Sequence, residues 1–96
     1  MRKSYIVSYD ITGKKRLRNI HKTLLGYGDA VQYSVFHCEL SDKELAQLKV
    51  EVQKIINHKQ DQVLIIDLGP AKGRGQKCME YLGIPYAKAE RCAIIV

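Results

Sequence analysis

The chain has 96 residues, of which 46% are hydrophobic and 27% are charged, and its formal net charge is +6. This length fits one domain with a small core and leaves no room for two, and the apolar fraction excludes a disordered chain. The positive charge favours an anionic partner, with nucleic acid ahead of a membrane surface, although a merely basic soluble protein is an equal alternative on charge alone.

Nothing in the sequence predicts secretion or membrane insertion. The first apolar run, Tyr5 to Tyr9, is too short for a signal peptide or a membrane span, and the charged Asp10 ends it. The three cysteines, Cys38, Cys78 and Cys92, form no CxxC pair and no metal-binding spacing with a histidine. Their odd number favours reduced thiols, so we expect a cytoplasmic protein with no membrane partner.

The first predicted elements are a strand and an amphipathic helix. Aromatic and β-branched residues predict the strand over Tyr5 to Tyr9. The helix is predicted over Lys14 to Leu25, and Gly26 and Gly28 stop it. Its expected buried stripe consists of residues at helical spacing: Leu17, Ile20, Leu24 and Leu25.

Residues Ala30 to Leu40 again predict extended structure, either as one long strand or as two short strands across a bulge. Alternation places Val31, Tyr33 and Val35 on one face. The other face then carries the three residues between and after them: Gln32, Ser34 and Phe36.

The second half predicts one more helix and several strands. Ser41 and Glu44 form a capping box that opens the helix. The helix stripe is Leu45, Leu48, Val52, Ile55 and Ile56. The continuous apolar run from Val63 to Leu68 is typical of a strand at the centre of a sheet. Cys78 to Leu82 indicates a short strand, and Cys92 to Val96 a final one.

The alternation of strands and helices predicts an α+β sandwich of one domain, residues 1–96, with the helices on one face of the sheet. The last strand has no obvious place in that sheet. We therefore expect the tail, about residues 84–96, to pack on the edge of a partner subunit in a homodimer.

The positive charge is concentrated in the first helix. No acidic residue lies between Ile11 and Gly28, and five basic residues do: Lys14, Lys15, Arg16, Arg18 and Lys22. Three of them fall in the first helical turn, where the helix dipole disfavours cations and favours phosphate. This indicates a nucleic-acid-binding surface, and the alternative is a solvated basic face. The loop with Lys72 and Arg74 is a weaker candidate for the same role, since such loops are often simply mobile.

Asp10 is the candidate metal ligand and catalytic residue. Mg²⁺ binds one or two carboxylates together with water and phosphate oxygens, and a two-fold dimer can supply a second Asp10. Such a metal would polarise a phosphate and activate water. The alternative is a carboxylate that orients the following turn. Tyr9, next to Asp10, is a second candidate catalytic residue, although strand aromatics more often belong to a core or an interface.

Two motifs resemble the CRISPR-associated protein two family. The first is the strand that ends in Tyr9-Asp10-Ile11, followed by Lys15-Arg16-Leu17-Arg18. The second is Tyr27-Gly28 followed by the run from Val31 to Phe36. The resemblance covers nearly the whole chain and implies a ferredoxin-like βαββαβ fold with an extra C-terminal strand, a homodimer, and a divalent cation such as Mg²⁺ at Asp10.

The family resemblance implies metal-dependent endonuclease activity on RNA or DNA and a role in CRISPR adaptation. Its implied partners are a CRISPR integrase subunit and double-stranded DNA or RNA. The chain departs from the family pattern at Thr12-Gly13-Lys14, Ala30 and His37, where many members carry acids or an arginine. The alternative is therefore a non-enzymatic scaffold that bridges integrase subunits on DNA. An RNA-recognition module is a third possibility, but its aromatic strand motif is absent.

Overall fold

The computed structural model describes residues 1–73 and 78–84. Its elements alternate as the sequence predicts. In chain order they are β1 (Lys3–Asp10), α1 (Lys14–Leu25), β2 (Gly28–Gln32), β3 (Val35–Leu40), α2 (Asp42–Ile55) and β4 (Gln62–Pro70).

The four strands form one antiparallel sheet in the order β2-β3-β1-β4. Strand β1 is central, because it pairs with β3 on one side and with β4 on the other. This order on a βαββαβ chain is ferredoxin-like and confirms the predicted fold class. The predicted C-terminal strand and most of the tail predicted to cross to a partner subunit lie outside the described residues.

The core lies between one face of the sheet and the two helices. Tyr5, Val7 and Tyr9 alternate along β1 and are all buried, and Val7 pairs with the fully buried Phe36 of β3. The helices contribute their own buried residues to the same cluster: Ile20, Leu24, Leu48 and Val52. Because the strand members share one parity, both helices lie on the same face.

The bounds of α1 match the prediction, but its stripe is narrower. Ile20 and Leu24 are fully buried, whereas Leu17 is 41% exposed and Leu25 is 43% exposed. Ile20 and Leu24 are one turn apart and point at the sheet, and the other two leucines lie at the borders of that stripe.

The capping box of α2 is confirmed. The Ser41 hydroxyl accepts from the Glu44 backbone N–H at 3.2 Å, and the Glu44 carboxylate accepts from the Ser41 N–H at 2.8 Å. Glu44 also pairs with Arg2 at 2.6 Å. The capping hydrogen bonds and Arg2 lower the pKa of Glu44, so this helix start favours the ionised carboxylate.

Residues 30–40 form two strands rather than one, and the turn between them is Tyr33-Ser34. The predicted face of Val31, Tyr33 and Val35 is therefore wrong, because alternation stops at the turn. Val31 is buried, whereas Tyr33 at the tip is 96% exposed.

Strand β4 corrects a second prediction. Its apolar run predicts a central strand, yet within the described residues it is the sheet edge and pairs with β1 alone. Leu64 is 52% exposed and Ile66 is 43% exposed on the face away from the helices. An apolar run on both faces shows that both faces need cover, but it does not show whether the cover comes from the same subunit.

The strand predicted over Cys78 to Leu82 is wrong, because residues 78–84 contain no strand. Leu82 is 93% exposed, so this segment does not bury its leucine as a strand packed in the sheet would. None of the helices in the described part of the chain has the length and apolar character to cross a bilayer.

Candidate nucleic-acid site at the end of the central strand

Asp10 is the last residue of β1 and lies at one end of the sheet, opposite Gln62 of β4. Its side chain is exposed. Among residues 1–73 and 78–84, no ion pair or side-chain hydrogen bond engages its carboxylate. Asp10 is therefore available to an external ligand rather than committed to the following turn.

The start of α1 lies at the same end of the sheet, because only three residues separate it from β1. Gly13 is the N-cap and offers no side-chain cap, and the first turn contains no acid. The backbone N–H groups of this turn are therefore left to solvent or a ligand. Lys14, Lys15 and Arg18 are exposed around them, which makes the helix start a suitable place for phosphate.

Arg16 differs from its neighbours because the protein already holds it. Its Nε donates to Asp61 Oδ2 at 2.7 Å, and its Nη2 lies 3.2 Å from both Gln60 Oε1 and Thr12 Oγ1. The Arg16 side chain is 30% exposed and that of Asp61 is fully covered. Arg16 thus ties α1 to the turn before β4, and its predicted contact with phosphate stays a prediction.

Asp61 is the centre of this connection. Besides Arg16, it accepts from the backbone N–H groups of Asn57 at 2.8 Å and of Thr12 at 3.1 Å. The hydrogen bond from Arg16, followed by those two N–H groups, holds the pKa of Asp61 well below its usual range. One ionised carboxylate therefore fixes the β1–α1 loop and the α2–β4 turn together.

Tyr9 positions the β2–β3 turn. Its backbone N–H donates to the Ser34 carbonyl at 3.1 Å, and its hydroxyl lies 3.3 Å from the Tyr33 carbonyl and 3.1 Å from His21 Nδ1. One phenolic proton satisfies both partners if it goes to the carbonyl while His21 Nδ1–H donates to the phenol oxygen. Burial raises the pKa of Tyr9, which keeps that proton in place. A catalytic role for Tyr9 stays a prediction.

The other predicted basic residues lie elsewhere. Lys22 is in the last turn of α1. Lys72 follows Pro70, which pairs with Lys3 at the opposite end of β1 from Asp10. Seven residue steps along β1 separate those ends by about 23 Å. Arg74 lies outside the described residues. The structure thus brings Asp10, Tyr9 and the start of α1 together at one end of the sheet, and it places Lys22 and Lys72 away from them.

The donor groups of the described residues decide which metal this end of the sheet fits. Within the part of the chain that is described, no three His, Cys, Asp or Glu side chains form a group that could hold a metal ion. Asp10 is a single free carboxylate, which fits Mg²⁺ that keeps water and phosphate ligands, or a site completed by a second copy. It does not fit a zinc site built within one chain.

Sequence reasoning missed Asp61, His21 and the exposed Tyr33. Asp61 is 45 positions from Arg16, and its only local signal is its place in a polar turn just before an apolar strand. Tyr33 carries no such signal, because Tyr33 and Ser34 continue the apolar–polar alternation of the run from Val31 to Phe36.

The fold and the site define a class: a small ferredoxin-like domain with an exposed aspartate and an uncapped basic helix start at one end of its sheet. A family model described as CRISPR associated protein Cas2 matches residues 3–74. The chain therefore belongs to the CRISPR-associated Cas2 family.

Relatives and solved structures agree with this membership. The chain is 40% identical over 92 residues to a Geobacter sulfurreducens protein named CRISPR-associated endoribonuclease Cas2, with 96% of each chain covered. It is 39% identical to a Rhodospirillum rubrum protein of similar name, covering 97% of this chain and 90% of that one. The crystal structure of Streptococcus pyogenes Cas2 superposes with a TM-score of 0.74 at 35% identity, covering 83% of this chain and 99% of that one.

Proposed function

We propose that this protein binds nucleic-acid backbone at the Asp10 end of the sheet and cleaves phosphodiester bonds there with a divalent cation. The observation that carries the proposal is the meeting of a free carboxylate and an uncapped, cation-rich helix start at one end of β1. The relatives named endoribonuclease in Geobacter sulfurreducens and endonuclease in Halalkalibacterium halodurans support this chemistry.

The side chains divide the work by charge. Lys14, Lys15 and Arg18 neutralise phosphate oxygens, and the free N–H groups of the first helical turn add hydrogen bonds. Arg16 and Asp61 keep the loop between β1 and α1 in place. Asp10 is the residue that would hold Mg²⁺, which supplies polarisation of a phosphate and a more acidic water when it is bound.

Two copies form the functional unit in this proposal. One chain supplies one Asp10 carboxylate and a dimer supplies two. Mg²⁺ sites in proteins commonly use one or two carboxylates, so a dimer can provide the larger number. The exposed Leu64 and Ile66 on the open face of the sheet support pairing, because such apolar surface is costly in water. Family membership supports a place in CRISPR adaptation beside an integrase subunit.

The test is cleavage of end-labelled DNA and RNA of the same sequence with and without Mg²⁺. Asp10→Asn keeps size and removes charge, so it should abolish cutting while duplex binding without metal stays equal or becomes tighter. Cutting by Asp10→Asn at the wild-type rate would refute the catalytic role of Asp10.

A second function has one observation in its favour. The exposed cations and the uncapped first turn of α1 need no metal to hold phosphate, so the basic helix start can serve as a scaffold that holds duplex DNA for an integrase without cutting. The same assay separates the two functions: metal-independent duplex binding with no cleavage of either nucleic acid supports the scaffold.

A further inference from the structure

A cavity of about 430 Å³ opens between α1 and the β2–β3 turn, and the proposed backbone contacts use only the cations at its border. This volume falls in the range of about 300–1,000 Å³ typical of small-ligand sites. Tyr9 and Leu17 form part of its wall, and Tyr33 stands at its border with 96% of its surface exposed. An apolar wall beside an exposed aromatic ring suits a flat ligand.

The charges around the cavity select an anionic ligand. Lys14 and Arg18, one helical turn apart on α1, both line it, and its described lining contains no carboxylate. A flat group with an attached negative charge matches this combination, and a nucleotide is such a ligand.

The exposed ring of Tyr33 is attached to a fixed point. The Tyr9 backbone N–H and hydroxyl reach the carbonyl oxygens of Ser34 and Tyr33 respectively, and His21, the partner of that hydroxyl, packs edge-on against Phe36 with ring centroids 5.3 Å apart. A ligand that stacks on Tyr33 therefore meets a turn whose backbone is already in place, which lowers the cost of ordering it.

We propose that this cavity takes one unpaired nucleotide of a bound strand, with its base stacked on Tyr33 and its phosphate on Lys14 and Arg18. The proposal rests on the proposed function, since the same cations serve both. Its consequence is a preference for strands with unpaired bases, such as single strands or duplex overhangs, over fully paired duplex. The sugar is left open, because the recognised chemistry is common to DNA and RNA.

The test compares Tyr33→Ala with Tyr33→Phe, which keeps the ring. Binding is measured by fluorescence anisotropy to a short single strand, to an abasic strand of equal length, and to a blunt duplex, with DNA and RNA versions of the single strand. Base stacking predicts that Tyr33→Ala weakens single-strand binding about 5- to 150-fold, while Tyr33→Phe binds nearly as the wild type does. The abasic strand and the duplex should not distinguish Tyr33→Ala from wild type. Since Tyr33 is almost wholly exposed, its replacement does not threaten the fold.

The outcomes separate the two proposals. If Tyr33→Ala binds the single strand as tightly as wild type while duplex binding persists, stacking on Tyr33 is refuted and backbone binding stands. If wild type binds none of the nucleic acids, the proposed function itself fails. If adenosine monophosphate alone competes as strongly as the oligonucleotide, the cavity is a mononucleotide site and the assignment to a strand is overturned.

Discussion

Removal of Arg18 should make duplex binding less sensitive to salt, whereas removal of Arg16 together with Asp61 should not. Both arginines lie near the start of α1, but Arg16 already donates to Asp61 at 2.7 Å. Arg18 is exposed, and no ion pair engages it among the residues described. Of these two arginines, only Arg18 is therefore free to replace counterions on phosphate.

The magnitude follows from the number of free cations. If Lys14, Lys15 and Arg18 each contact one duplex phosphate, the log–log slope of affinity against salt is about −2.7 per subunit, and Arg18→Ala changes it to about −1.8. Between 50 and 200 mM salt, wild type should lose affinity about 40-fold and Arg18→Ala about 12-fold. A dimer that contacts one duplex with both subunits doubles both slopes.

The assay is fluorescence anisotropy of a labelled duplex at four salt concentrations without metal. Arg16→Ala/Asp61→Ala removes opposite charges together, so the net charge is unchanged, and circular dichroism checks that the variant folds. Lys54→Ala, in the last turn of α2, is a matched control for loss of one exposed cation. If the Arg16–Asp61 double variant is folded and flattens the slope as much as Arg18→Ala, Arg16 releases Asp61 to grip phosphate and the reasoning is wrong.

Three further changes test the fold and its assembly. Gly28→Ala should destabilise the protein by about 1–3 kcal/mol in urea unfolding, because the new Cβ would clash with the His37 carbonyl oxygen and lie 2.6 Å from Cys38 Sγ; an unchanged midpoint contradicts this packing. The stabilisation from Asp61, whose folded pKa is depressed, is complete above the unfolded pKa of about 3.9 and lost as pH falls toward the folded value. Asp61→Asn should therefore have a smaller free energy of unfolding than wild type at pH 7, and the difference should narrow as the pH falls. If the free energies of the two proteins change in parallel with pH, Asp61 does not supply this stabilisation. Leu64→Glu should weaken a dimer measured by light scattering whereas Val50→Glu, on the exposed side of α2, should not; equal effects would place the interface elsewhere.

The helices were predictable from the sequence because their signals are local. The capping box is two residues three positions apart, and the bounds of α1 follow from glycines that directly flank it. The β2–β3 turn was left open because Tyr33-Ser34 contains none of the glycine, proline or asparagine that normally marks a hairpin. The edge position of β4 was missed for a different reason. An apolar run predicts that both faces of a strand are buried, but it does not predict whether the same subunit or another one covers them.

The candidate site was predictable only in part, for the same reason. Asp10 and the basic helix start are adjacent in sequence, so their proximity follows directly from a strand, a short turn and a helix. The attachment of Arg16 to Asp61 joins positions 45 residues apart, and a single sequence carries no signal for such a pair. Charge counting therefore treated Arg16 as equivalent to Arg18, although the fold uses the first internally and leaves the second to solvent.

In the proposed function, the separation of the basic groups limits how a duplex can lie on this protein. The start of α1 and Lys72 follow residues at opposite ends of β1, and those two ends of the strand are about 23 Å apart. Since successive phosphates on one strand of duplex DNA are about 3.4 Å apart along the axis, a duplex that reaches both ends along β1 spans about seven base pairs. Contacts at the two ends of such a span reach backbone rather than base edges, and backbone contacts carry no direct sequence information. In the proposed function, these cations therefore make backbone contacts that do not depend on base sequence, and the cavity beside Tyr33 takes a base only from an unpaired strand.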